Sequence, residues 1–133
     1  MIYGIGVDIV HVPEFAAALA EPGTSFFKDY FSNLEFDYCM NAAPQQQAQR
    51  FAVRYAAKEA CLKALDGARI SSPAAFNFQY REASICKDEY GRPFFQFSGQ
   101  TDQFVRSNEL RSRVSLSHSV DYAIAQVSME RMV

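Results

Sequence analysis

The chain has 133 residues, 49% of them hydrophobic, which is enough for one compact domain over residues 1–133 to bury a core without disulfides or a structural metal. Thirteen basic against fifteen acidic side chains give a formal charge of −2, which excludes the basic surface expected of a protein that binds nucleic acids or anionic membranes. The three cysteines, and an N-terminus with neither signal-peptide nor membrane-spanning features, predict a cytoplasmic protein with reduced thiols.

The chain is predicted to begin with a strand that leads into helices. Its β-branched residues indicate a buried strand over residues 2–10. Pro13 is typical of the first turn of a helix, and helical spacing continues through residues 15–19. After a break at Glu-Pro-Gly, a short helix is expected over residues 26–31.

A further short helix and one long helix complete the N-terminal half. The short helix is expected over residues 34–40, with Ser32 or Asn33 as its cap. Residues 46–65 contain neither Gly nor Pro and are rich in Ala, Arg, Lys, Gln and Leu, so they predict a long helix. We expect Gly67 to end it.

The second half of the chain changes to strand-like patterns. A turn is expected at residues 88–93, and a short helix at residues 100–107. Five segments are rich in β-branched and aromatic residues and are predicted to be strands: residues 76–80, 83–86, 94–97, 113–117 and 122–129. Helices early and strands late indicate an α+β fold.

The first strand presents two unlike faces. Gly4, Gly6 and Asp8 share one face, since side chains alternate along a strand. Two glycines at this spacing predict close approach by a helix, another backbone or a ligand, with the Asp8 carboxylate facing the same space. The alternative is that Asp8 only ends the strand or caps the next turn.

The long helix carries charges in a mostly apolar surface. Glu59, Lys63 and Asp66 project within about 60° of one another, so they share one sector of the helix. A charge near a buried surface is costly unless it meets an ion or a ligand. The alternative is an ordinary pair between Glu59 and Lys63 on a solvated face. Three further cations occupy a different sector: Arg50, Arg54 and Lys58.

His118 lies in a strand-like segment surrounded by serines. It is either a packed histidine at a core or edge position, or a donor to a phosphate group. The sequence contains no phosphate-binding Gly-rich loop, no HExxH, no pair of CxxC motifs and no nucleophile elbow. Hydrolase triads are therefore poorly supported.

Four segments of the chain resemble, in their order, the motifs of the holo-(acyl carrier protein) synthase family, the small trimeric branch of the 4′-phosphopantetheinyl transferases. The segments are GIGVDIV, RFAVRYAAKEACLKAL, GRPFFQFSG and VSLSHSVDYAIAQV. The resemblance implies an antiparallel sheet packed around one long helix. It implies an enzyme that transfers the 4′-phosphopantetheine group of coenzyme A to a serine of an apo acyl carrier protein in lipid and fatty-acid biosynthesis, releasing 3′,5′-ADP. It also implies a homotrimer with active sites between subunits.

The same resemblance suggests roles for individual residues. Asp8 and Glu59 would bind Mg²⁺ together with the coenzyme A diphosphate and water, and Lys63 would contact the phosphate oxygens. Four other residues match positions that hold the nucleotide or lie beside it: Arg54, Lys58, Gly67 and His118.

The sequence also departs from the family pattern. A Gly-Thr-Gly-like stretch after the long helix is replaced here by residues 66–69, of which only Gly67 fits. An acidic residue and a carrier-binding arginine are replaced by His11 and Glu14, which reverses the charge expected at the carrier surface and makes Lys28 a candidate substitute contact. Two alternatives stay open: a carrier-protein-binding module with lost or weak transfer activity, and a Mg²⁺-dependent nucleotide phosphohydrolase.

Overall fold

The computed structural model describes residues 1–132. In that range the protein consists of five helices, five strands and two short 3₁₀ turns, at Gly67–Arg69 and Tyr80–Glu82. The helices and strands follow one another in this order: β1 (Ile2–His11), α1 (Val12–Leu19), α2 (Phe26–Tyr30), α3 (Asn33–Met40), α4 (Pro44–Asp66), β2 (Ala83–Lys87), β3 (Pro93–Phe97), α5 (Gly99–Ser107), β4 (Leu110–Ser119) and β5 (Tyr122–Arg131).

The strands form two antiparallel sheets. The larger sheet has the order β1-β5-β4, and β2 pairs with β3 in the smaller one. The register places Asp8 of β1 opposite Ala125 of β5, and His118 of β4 opposite Ala123 of the same strand. The long helix α4 packs against the larger sheet, so the expected α+β fold with an antiparallel sheet around one long helix is confirmed.

The contact between β1 and α4 depends on glycine. A Cβ atom on Gly6 would overlap the Ala60 carbonyl oxygen, and one on Gly4 would overlap the Ala64 carbonyl oxygen. Small side chains on the helix and none on the strand allow the two backbones to touch. The close approach predicted from the glycine spacing is therefore made by α4, and it brings Asp8 to the same helix face.

Two apolar clusters flank α4. One lies between the helix and the inner face of the larger sheet, and the other is aromatic and lies between α4 and the three short N-terminal helices. Cys39 and Cys61 are buried in these clusters as free thiols, in agreement with the reduced thiols expected from the sequence. No helix within residues 1–132 combines the length and the apolar character needed to cross a membrane.

Local signals placed most helix ends correctly. Pro13 lies in the first turn of α1, and Gly67 is the residue at which α4 ends. Ser32 caps α3 in a capping box, because its hydroxyl accepts from the Glu35 backbone N–H while Glu35 accepts from the Ser32 backbone N–H.

The strand expected at residues 76–80 is wrong. Phe76 and Phe78 form no ladder; their rings pack against each other, and the Phe76 ring packs on Phe104 of α5. The carbonyl of Tyr80 accepts a hydrogen bond from Lys58 of α4, and a 3₁₀ turn begins there. The aromatic residues that are typical of strands here serve side-chain packing instead.

Candidate functional site

Asp8 and Lys63 meet where β1 crosses α4. The Lys63 Nζ atom lies 3.2 Å from Asp8 Oδ1 and donates to the Val7 carbonyl oxygen at 3.0 Å. The side chain of Asp8 is 19% exposed and that of Lys63 is 53% exposed, so the pair lies at the edge of the contact. Asp8 lies inside β1 and neither ends the strand nor caps a turn. Lys63 therefore forms its ion pair with Asp8 of β1. The alternative from the sequence was a pair between Lys63 and Glu59 within the helix.

Glu59 is held by a phenol from another part of the chain. The Tyr80 hydroxyl donates to Glu59 Oε1 at 3.0 Å. Burial raises the pKa of Tyr80, and the negative charge of Glu59 adds to the effect. The pKa of Tyr55 is raised in the same way, first by burial and then by Glu59. Both phenols therefore stay protonated and present hydroxyl groups to an anionic carboxylate.

The electrostatics of Asp8 favour a bound cation. Burial is the largest cause that raises the pKa of its carboxyl group, and the nearby Glu59 charge raises it further. The hydrogen bond and positive charge of Lys63 act in the opposite direction without cancelling the increase. Two carboxylates that repel each other at a half-buried position are the oxygen donors that Mg²⁺ accepts.

The protein supplies only part of the ligands that a metal ion beside Asp8 and Glu59 would need. Across residues 1–132, no three His, Cys, Asp or Glu side chains converge as a metal site. Mg²⁺ commonly keeps several waters and takes one or two carboxylates plus substrate phosphates. Asp8 and Glu59 therefore fit a Mg²⁺ ion that binds together with a phosphate-bearing substrate.

A second group of predicted residues comes from another face of α4 and from β4. Arg54 and His118 line a pocket of about 260 Å³ together with Arg50, Lys87 and Tyr38. The Arg54 guanidinium lies 4.3 Å from the centre of the Tyr38 ring, and its Nη1 atom donates to the Arg50 carbonyl oxygen at 3.2 Å. Its Nε atom is buried, and it has no hydrogen-bond partner among the described atoms. A pocket rich in cations with a free donor is suited to an anion.

The two groups do not meet within one chain. Arg54 and Glu59 are five residues apart on α4, which separates them by about 140° around the helix axis. The structure thus brings Asp8, Glu59 and Lys63 together, and it brings Arg54 and His118 together, but on different faces of α4. His118 is exposed on the edge strand β4, so it is not a core histidine, and its role as a phosphate donor stays a prediction.

Lys58 has a different environment from the one expected of a nucleotide contact. Its side chain and that of Glu35 are both 0% exposed, and its Nζ atom lies 2.6 Å from Glu35 Oε1. The ammonium group also donates to the carbonyl oxygens of Tyr80 at 2.9 Å and Ala83 at 2.8 Å. With all three N–H bonds engaged inside the protein, Lys58 cannot reach a ligand at the surface, and we correct its assignment accordingly.

The remaining sequence-derived residues lie apart from both groups. Gly67 is exposed at the end of α4 with open space where a Cβ would project. The neighbouring Asp66 lines a separate pocket of about 210 Å³ beyond the helix end. His11 Nδ1 lies 3.6 Å from Glu14 Oε1, and Glu14 points into solvent. Lys28 is exposed on α2.

Sequence reasoning missed Tyr55, Tyr80 and Glu35. Tyr55 precedes Glu59 by four residues, so helical spacing alone was a signal that the two side chains face each other. Tyr80 and Glu35 offered no such signal, since their contacts to Glu59 and Lys58 join residues that are 21 and 23 positions apart in the sequence.

The chain is similar to known proteins over nearly its whole length. The family model of the 4′-phosphopantetheinyl transferase superfamily matches residues 4–127. The holo-[acyl-carrier-protein] synthase of Geobacter metallireducens is 36% identical over 134 residues, covering 99% of this chain and 100% of the relative. The holo-[acyl-carrier-protein] synthase of Nocardia farcinica is 35% identical over 130 residues, covering 97% of this chain and 88% of the relative.

Solved structures agree with these similarities. The ACPS-CoA complex of Chronobacterium ammoniagenes superposes with a TM-score of 0.87 at 30% identity, covering 98% of each chain. The acyl carrier protein synthase of Mycobacterium tuberculosis superposes with a TM-score of 0.80 at 28% identity, covering 99% of this chain and 100% of that one.

Proposed function

Because the chain belongs to the 4′-phosphopantetheinyl transferase superfamily, we propose that it transfers the 4′-phosphopantetheine group of coenzyme A to a serine of an apo acyl carrier protein. The products are the holo carrier protein and 3′,5′-ADP, and the step serves fatty-acid and other lipid biosynthesis. The observation that carries the proposal is the convergence of Asp8, Glu59 and Lys63 in a chain similar to such synthases from end to end.

Asp8 and Glu59 are the residues that would hold one Mg²⁺ ion. Their mutual repulsion contributes to the raised pKa of Asp8, and a divalent cation between them would remove that penalty. The coenzyme A diphosphate and water would supply the other oxygen ligands that Mg²⁺ requires. When bound, the ion would supply charge neutralisation on the phosphoryl group.

The chain's own residues position the diphosphate and offset its charge. The serine oxygen forms a bond to the β-phosphorus while the bond from that phosphorus to the leaving 3′,5′-ADP breaks, and the serine proton passes through a water toward Glu59. The half-exposed Lys63 ammonium moves from Asp8 to the phosphate oxygens, where it offsets the charge of the leaving group.

A direct transfer also agrees with the state of the cysteines. Burial raises the pKa of Cys39 to about 11 and that of Cys61 to about 12. Both are therefore unreactive thiols at neutral pH, since the thiolate is the nucleophilic form. Neither side chain is suited to form a covalent intermediate with the phosphopantetheine group.

We assign the Arg54 and His118 pocket to the nucleotide half of coenzyme A, held by a neighbouring subunit of a homotrimer. This pocket and the Asp8 group lie on different faces of α4, so a complete site needs two chains. The outer face of β1 supports an assembly, because Ile5 is 63% exposed and Val7 and Ile9 are also exposed. A contiguous apolar strand face of this kind is typical of an interface.

Replacing Ile5 by Lys should separate the subunits without unfolding them, because this side chain points into solvent within one chain. Light scattering after size exclusion should give three times the 15.0 kDa chain mass for the wild type, and one chain mass for Ile5→Lys. Transfer activity should fall with the assembly. A wild type that elutes as a single chain, or a variant that stays trimeric, would rule out this interface.

The function itself is tested by intact mass of an apo acyl carrier protein after incubation with this protein, coenzyme A and Mg²⁺. The carrier should gain one phosphopantetheine mass with the wild type, and Asp8→Ala and Glu59→Ala should abolish the gain because each removes a Mg²⁺ ligand. No gain with several carriers despite bound coenzyme A would favour the binding module. Free phosphopantetheine released without a carrier would favour the phosphohydrolase.

A further inference from the structure

We propose that Tyr80 is a positioning residue for Glu59, and that the buried Glu35–Lys58 ion pair holds Tyr80 in place for this task. The inference rests on the proposed function, in which Glu59 is one of two Mg²⁺ ligands. It adds a residue from outside β1 and α4 to the site, and it gives Lys58 a role that the sequence did not suggest.

The contact between Tyr80 and Glu59 suits a metal ligand. The phenol donates to Glu59 Oε1 at 3.0 Å, a hydrogen bond strengthened by the charge of the acceptor. This bond takes one of the four lone-pair positions of the carboxylate, so the others stay available to a cation and a water. A glutamate has three side-chain torsions and loses conformational freedom when it binds an ion. A partner that restricts these torsions beforehand lowers that cost.

Tyr80 is itself restrained by aromatic neighbours. Its ring centre lies 4.6 Å from that of Tyr30 and 5.2 Å from that of Phe78, and it stacks on Tyr55 at 6.5 Å. These contacts hold the ring on three sides, so the direction of the hydroxyl follows from the direction of the backbone at Tyr80.

Lys58 fixes that backbone. Its ammonium group donates to the carbonyl oxygens of Tyr80 and Ala83, which lie at the two ends of the 3₁₀ turn Tyr80–Glu82. Glu35 neutralises the ammonium at 2.6 Å. Lys58 and Glu59 are consecutive on α4, so one short piece of helix carries the metal ligand and also anchors the turn that orients it. Outer contacts of this kind are worth about 10- to 100-fold in metal affinity.

The alternative is that the Tyr80 hydroxyl is only a satisfied polar group in an aromatic cluster. Tyr30 provides a matched comparison, since it belongs to the same cluster and its ring packs on Tyr80. No hydrogen bond from the Tyr30 hydroxyl is found among residues 1–132. Removal of either hydroxyl keeps the ring and its packing, so both variants should fold.

The test measures metal binding rather than transfer. Mn²⁺ is titrated into the protein with saturating coenzyme A and no carrier, and free Mn²⁺ is followed by electron paramagnetic resonance, with a protein-free titration as the blank. Tyr80→Phe should weaken Mn²⁺ binding about 10-fold or more. Tyr30→Phe should bind like the wild type, and thermal unfolding should show both variants folded.

Each contrary outcome has a distinct meaning. Wild-type Mn²⁺ affinity in Tyr80→Phe, alongside a loss in Glu59→Gln, would overturn the positioning role. Equal weakening in Tyr30→Phe and Tyr80→Phe would overturn it too, because the effect would then belong to the whole cluster. If Glu59→Gln binds Mn²⁺ like the wild type, the metal assignment itself fails and the positioning role with it, whereas the intact-mass assay tests the transfer independently.

Discussion

Replacing Lys58 by Met should lower the free energy of unfolding by about 3–5 kcal/mol, because the buried Glu35 carboxylate loses its counter-ion. Met has nearly the length of Lys, so little cavity is created. The carbonyl oxygens of Tyr80 and Ala83 lose their donor as well. Small domains have a total stability of about 5–15 kcal/mol, so the loss approaches the limit of folding.

Urea denaturation of the variants measures this loss. Arg106→Met is the matched control, since Arg106 pairs with Asp102 at 2.8 Å on the surface and should cost less than about 1 kcal/mol. Glu35→Gln should destabilise as strongly as Lys58→Met, and the double variant should recover part of the loss because no unpaired buried charge remains. A decrease for Lys58→Met no larger than that of the Arg106 control would contradict the buried-pair account.

Replacing Gly6 by Ala should reduce the rate of transfer about 100-fold, by moving Asp8 away from Glu59 and Lys63. The new Cβ would overlap the Ala60 carbonyl oxygen, so β1 has to shift relative to α4. A displacement of about 1 Å in a catalytic arrangement costs on the order of 100-fold in rate. The strain should also lower the free energy of unfolding by about 1–3 kcal/mol.

The two effects are separated by assaying transfer well below the melting temperature of each variant. Gly67→Ala is the stability control, because Gly67 has a φ of −62° and no neighbouring atom lies within 4 Å of the position that a Cβ would take. It should leave stability unchanged or raise it by about 0.4–1 kcal/mol. Wild-type transfer by a folded Gly6→Ala protein would show that Asp8 does not depend on this contact.

Local patterns predicted the parts of the site that belong to single elements. Strand alternation placed Gly4, Gly6 and Asp8 on one face, and helix periodicity placed Glu59 and Lys63 together. The two groups meet because the neighbour that approaches the glycine face is α4, one of the three possibilities that the glycine spacing left open beside another backbone and a ligand. The local pattern predicted a close contact on this face, and the structure identifies the partner as α4.

Other parts could not be obtained from local patterns. Lys58 follows Arg50 and Arg54 at helical spacing, which is typical of a cation on the surface of a helix. Its burial is possible because Glu35 of α3 forms an ion pair with it. Tyr80 lies in a segment with strand-like residues, but it begins a 3₁₀ turn, and its carbonyl oxygen accepts a hydrogen bond from Lys58. Both depend on partners that are distant in the sequence. The Mg²⁺ ion, the trimer, the single-domain organisation and the cytoplasmic location stay predictions.

The placement of the two residue groups on different faces of α4 has a genetic consequence. Under the proposed trimer, a chain lacking Asp8 keeps an intact nucleotide face, and a chain lacking His118 keeps an intact metal face. In a mixed trimer of the two defective chains, a complete site would form wherever the intact nucleotide face of one chain lies beside the intact metal face of the other. Two variants of this protein that are each inactive would then restore transfer activity to each other when they are expressed together, although neither is active alone.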